Sequence, residues 1–94
     1  MSHTLKRWRE QCHAARRIRD NFGVLHALDY LVGEKLFAFA RLADADPLFI
    51  QELPPFVREV SKIFTPLELR SYLRGRRLPS RLQIHFRHRS SSSG

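Results

Sequence analysis

Cysteine is almost missing from this chain. Cys12 stands alone among 94 residues, so no internal disulfide can staple the fold, and such usage suits a reducing, cytoplasmic setting. Long apolar runs are missing as well. The longest is Leu36-Phe37-Ala38-Phe39-Ala40, far short of a membrane span, and the first twenty residues hold no apolar core of a secretory signal. The motifs of small enzymes are also absent: no glycine-rich phosphate loop, no nucleophile elbow, no carboxylate pair set for acid–base work. His3, His13, His26, His85 and His88 are scattered. His85 and His88 have a spacing a metal could use, but neighbouring arginines repel a cation. These absences lead us to expect no catalytic residue, no metal site and no cofactor.

Acid is scarce too, and the charge is sorted by position. Nine acidic residues face seventeen lysines and arginines, for a net charge of +8. Residues 1–20 carry Lys6, Arg7, Arg9, Arg16, Arg17 and Arg19 against Glu10 and Asp20. Residues 65–94 carry seven arginines against Glu68 alone. Between them the middle is faintly acidic and apolar. A folded centre with cationic ends attracts polyanions. Arginine dominates the basic set, and its planar guanidinium can hold a phosphate with two parallel hydrogen bonds.

Ninety-four residues make one domain with a small core. The apolar spacing predicts an all-α bundle of four to five helices around one long central helix. Leu5, Trp8, Cys12, Ala15, Ile18 and Phe22 step by three or four, which predicts a helix from Leu5 to Asp20. Asn21 and Gly23 can end it. The central helix is predicted from Phe22 or Gly23 to Ala43, with Leu25, Leu28, Val32, Leu36, Phe39 and Ala43 inward. Asp46-Pro47 reads as a cap and first helical residue, opening a short helix to Leu53. Pro54-Pro55 should break it, and Pro55 should open another helix to Phe64. Thr65-Pro66-Leu67-Glu68 is a capping box, opening a helix through Leu69, Tyr72 and Leu73 to Gly75. The expected core is Leu28, Val32, Leu36, Phe39, Phe56, Val60, Phe64, Leu69 and Leu73. Residues 1–78 are thus expected to form a single helical domain and 79–94 a basic, serine-rich flexible tail. Within that tail, Leu82, Ile84 and Phe86 alternate with polar residues as in a short strand, and Ser90 to Gly94 shows no periodicity.

Two functional readings follow. The first is a non-catalytic accessory protein that binds nucleic acid, DNA or RNA, through its basic ends. Its contacts would be Arg9, Arg16 and Arg17 on the first helix, and Arg70, Arg74, Arg76, Arg77 and Arg81 around the last. Residues 57–77 fit a helix-turn-helix poorly, because Lys62 and Ile63 stand where that motif wants an apolar residue and a glycine-like turn. The apolar stripe of the first helix is also too narrow for a membrane surface. The second reading is a protein-interaction module, an adaptor or inhibitor. His26, Tyr30, Gly33, Phe37 and Arg41 form a second stripe on the central helix. Tyr30 and Phe37 bracket Gly33, where glycine lets a partner approach closely. Either another helix of this chain covers that face, or it is an interface with an acidic partner surface or a second copy in a homodimer.

Overall fold

A computed structural model describes the backbone of residues 2–93 and the side chains of residues 6–86. The chain folds into five helices, with no strand among the described residues. Helix α1 is Ser2–Phe22. The chain reverses at Gly23, whose φ of 106° lies in the region that glycine alone adopts readily. Helix α2 then runs without interruption over residues 24–45. A 3-10 turn, Pro47–Glu52, passes directly into α3, Leu53–Ile63. Helix α4 is Pro66–Leu73 and helix α5 is Ser80–Ser93. Helix α2 is central: α1, α3, α4 and α5 all touch it.

The middle of α2, Asp29–Leu36, is π-helical. Its wider turns bond each residue five positions back rather than four, so inward residues there are spaced by four or five. Ala27, Leu31, Leu36 and Ala40 are all fully buried and follow steps of four, five and four. This widening brings Phe37, five after Val32, into the core at 7% exposure. A strict 3.6-residue period assigns Phe37 to a separate stripe.

All nine residues expected in the core are buried. Around them an aromatic cluster closes the interface of α1, α2 and α3. The Trp8 indole stacks on Phe56 with ring centroids 3.3 Å apart, and meets Phe39 edge-on at 4.6 Å. Cys12 and Ala15 continue this buried row along α1. Phe22 and Leu25 were expected inward but are 67% and 57% exposed. Phe22 stays on the face of Ala15, seven residues on, but it is the last residue of α1 and lies past the end of the packed row. Leu5, at the other end of the predicted stripe, lies outside the described side chains.

The local signals at helix starts hold. The Asp46 carboxylate accepts from the Leu48 amide at 3.1 Å. At the Thr65 box, the Glu68 amide donates to Thr65 Oγ1 at 3.1 Å and the Thr65 amide donates to Glu68 Oε1 at 3.0 Å. Gly75, with φ of 79°, turns the chain after α4.

Two expectations are corrected. Pro54-Pro55 does not break the chain but forms the first turn of α3, beginning at Leu53. Amides in a first turn have no helical acceptor, so two prolines there sacrifice no hydrogen bond. The strand at Leu82, Ile84 and Phe86 is instead part of α5. Leu78, Leu82 and Phe86 step by four, and this spacing prevails over the alternation. Leu82 is fully buried, Leu78 and Phe86 pack against the same core, and Ile84 faces out. The packed body therefore extends past residue 79, to at least Phe86. No glycine or proline interrupts the backbone before Gly94, and the helix carries on through the serines to Ser93. Gly94 and the side chains of Arg87, His88 and Ser90 to Ser93 lie outside the described residues.

Candidate nucleic-acid interface

The row Trp8, Cys12, Ala15 and Arg19 turns one side of α1 inward. Arg9, His13, Arg16 and Arg17 consequently fall on the outer side, all exposed. No carboxylate of the described residues forms an ion pair with Arg9, Arg16 or Arg17. Glu59 of α3 does come close enough to act on Cys12, as does Arg16. Burial, assisted by Glu59 and opposed by Arg16, pushes the Cys12 thiol up to about 11.

The second expected set divides. Arg70, Arg74 and Arg77 are exposed and enter no ion pair among the described residues. Arg76 is held: its guanidinium lies 3.9 Å from the Tyr72 ring centroid, and its Nε donates to the Tyr72 carbonyl at 2.8 Å. The Tyr72 hydroxyl donates in turn to Asp29 Oδ1 at 2.7 Å. Burial, the bond to Asp29 and the charge of Asp29 together push that phenol up to about 12. Arg81 pairs with Asp44 at 3.5 Å, which ties the start of α5 to the end of α2. The structure thus places the expected arginines in two sets on different elements.

Arg19, absent from the expected contacts, links the element that carries one set to the element that carries the other. Its two Nη atoms donate to the two carboxylate oxygens of Glu68 at 3.1 and 3.0 Å, and Nη1 also donates to the Ile63 carbonyl at 2.7 Å. The Thr65 amide, aided by Arg19, holds the Glu68 carboxyl below the usual carboxylate value despite partial desolvation. The spacing of four from Ala15 was the sequence signal for this inward arginine.

The Tyr30, Gly33 and Phe37 face is largely filled from within the chain. A Cβ at Gly33 would collide with the Tyr72 hydroxyl of α4. Phe37 is buried, and Tyr30 is half-buried with the Lys35 ammonium 5.4 Å from its ring centroid. Burial lowers the pKa of His85 on α5, so it carries less charge near neutrality than a free histidine.

A groove of about 460 Å³ lies between α1 and α2. Arg7, Trp8 and Gln11 form its α1 side, and Lys35, Ala38, Phe39 and Leu42 its α2 side. Phe49 closes it and meets Phe39 edge-on at 5.6 Å. Two residues of the lining hold buried polar atoms without a hydrogen-bond partner: Trp8 Nε1 and Gln11 Oε1. Sequence periodicity gave no sign of this groove, because it depends on where the π segment directs Lys35 and the residues after it.

Among the described residues, no helix is long and apolar enough to cross a membrane, and no three of His, Cys, Asp and Glu gather at one point. Compared with protein-family models, curated proteins and solved structures, the chain matches none.

Proposed function

We propose that this chain is a small, non-catalytic accessory protein that binds nucleic acid through its exposed arginines. One observation carries the reading. Where a carboxylate was within reach, as for Arg19 and Arg81, the fold paired it, whereas Arg9, Arg16, Arg17, Arg70, Arg74 and Arg77 stand exposed without a counter-charge among the described residues. Unpaired guanidinium groups on a rigid helix can meet successive phosphates, and the release of counterions drives such binding. The reading assigns Arg76 and Arg81 a structural role first. It gives weak sequence preference, because phosphate contacts position a protein without reading bases.

The test is fluorescence anisotropy with labelled duplex DNA and hairpin RNA at low and physiological salt. Affinity should fall steeply as salt rises. Replacing Arg9, Arg16 and Arg17 by alanine should lower the slope of log affinity against log salt by about 0.9 for each phosphate no longer neutralised. Absence of binding at low salt removes this reading, and the exposed arginines then point to an acidic protein surface.

A further inference from the structure

We infer that the chain is a bridge that holds two nucleic-acid duplexes at once, one on α1 and one on the edge that carries Arg70, Arg74 and Arg77. The inference deepens the nucleic-acid reading and rests on it for the phosphate contacts. What it adds follows from the direction in which each arginine set faces. Each residue turns an α-helix by about 100° and a π-helix by somewhat less, so residues two apart project from nearly opposite sides. Three such pairs place the two sets. In the π segment of α2, Gly33 meets the Tyr72 hydroxyl of α4, while Lys35 lines the groove shared with α1. Further along α2, Leu42 lines that same groove, while Asp44 pairs with Arg81 of α5. Helix α1 and the segment from Tyr72 to Arg81 therefore flank α2 on opposite sides. In α4, Glu68 receives Arg19 of α1, so Arg70 projects away from α1.

Arg74 and Arg77 lie within that second flank, between Tyr72 and Arg81, and both are exposed. On α1, Arg17 is two residues from Ala15 and from Arg19 of the inward row, and projects outward by the same rule. Arg9 and Arg16 are exposed on the same helix. The body of the fold thus stands between the two sets. Duplex DNA is stiff, with a persistence length of about 150 base pairs, so a short duplex does not curl round so small a body to meet both. Each set takes a segment of its own. Each has guanidinium groups without an ion pair among the described residues, free to displace counterions from phosphates. Holding both sites in one rigid body keeps the second segment close to the first. Phosphate contacts read no bases, so the two segments need not share a sequence.

Two measurements on the intact protein at low salt test the bridge. In the first, analytical ultracentrifugation with a short DNA duplex in excess counts the duplexes bound to each chain, and two are expected. In the second, one duplex is fixed to a surface, the protein is added and washed, and a second, labelled duplex is offered. The surface should capture the label only when protein is present. Replacing Arg9, Arg16 and Arg17 by alanine, or Arg70, Arg74 and Arg77 by alanine, should in each case leave one duplex per chain and lower capture by about tenfold or more. A single duplex per chain in the parent protein overturns the inference, because one face then serves both sets. Capture that survives in either variant overturns it as well, because two copies of the chain are then joining the duplexes. Failure of the first duplex to bind at all is a different result: it removes the nucleic-acid reading itself.

Discussion

Helix α1 and the segment 66–86 are both basic, yet they attach to the rest of the fold differently. Helix α1 docks through carbon: Trp8 on Phe56 and Phe39, then Cys12 and Ala15, with Arg19 as its polar anchor among the described residues. Its other arginines form no ion pair among the described residues. Segment 66–86 also buries Leu69, Leu73 and Leu82, but it is tied by polar groups as well: Glu68 to Arg19, Tyr72 to Asp29, Arg81 to Asp44. There the cations are partly consumed by the fold. A count of arginines therefore overstates a binding surface wherever acidic neighbours are available, and describes it fairly where they are not.

The comparison can be broken most forcefully at the apolar anchor. Phe56→Ala should destabilise by about 3–5 kcal/mol, because a fully buried ring beneath Trp8 is removed. A denaturant midpoint close to that of the parent chain would show that α1 is held by something else. Gly33→Ala attacks the polar side. Its methyl displaces the Tyr72 hydroxyl from its place beside Asp29, at a cost of about 1–3 kcal/mol. Thermal unfolding of this variant alone and combined with Tyr72→Phe measures the effect, and equal losses in both backgrounds would mean that the hydroxyl is not the obstacle.

The Thr65 box comes next. Thr65→Ala should cost about 0.5–2 kcal/mol, read from chemical unfolding. The Glu68 carboxyl is held below its usual value, so its contribution is fully present above the ordinary carboxylate range and lost as pH falls through the lowered value. Glu68→Gln should flatten that acid limb of the stability profile, and an unchanged limb would place the titration elsewhere. The smallest effect is expected for Arg81→Ala. An ion pair this exposed contributes less than about 1 kcal/mol, and the salt slope of nucleic-acid binding should not change. A slope that drops as much as in the Arg9, Arg16 and Arg17 variant would erase the distinction between the two regions.

Much of this fold was legible from residue spacing. The central helix, the capping box and the buried set from Leu28 to Leu73 depend on local periodicity and local hydrogen bonds, which a sequence displays directly. One misreading was of spacing: the helical steps of four at Leu78, Leu82 and Phe86 were hidden under an alternation. Which of the two covers offered for the Phe37 face applied was not legible, because a π spacing of five sets its inward place. The fate of each arginine was not legible, since it depends on which carboxylate lies across an interface. Glu68 is 49 positions from Arg19, and Asp44 is 37 from Arg81, so only the packed structure pairs them. The groove is a product of packing in the same sense.

The buried thiol on the docking face of α1 turns that interface into a clock. Cys12 is the only cysteine, it is buried in the core, and burial keeps it protonated far above neutral pH. A thiol in that state reacts with an alkylating reagent only when the helix lifts away and the ordinary thiolate fraction is restored. The rate of labelling, followed by mass, therefore counts how often α1 opens in the otherwise intact protein. Any ligand that bridges α1 to α2 should slow that count, even if it leaves no optical trace.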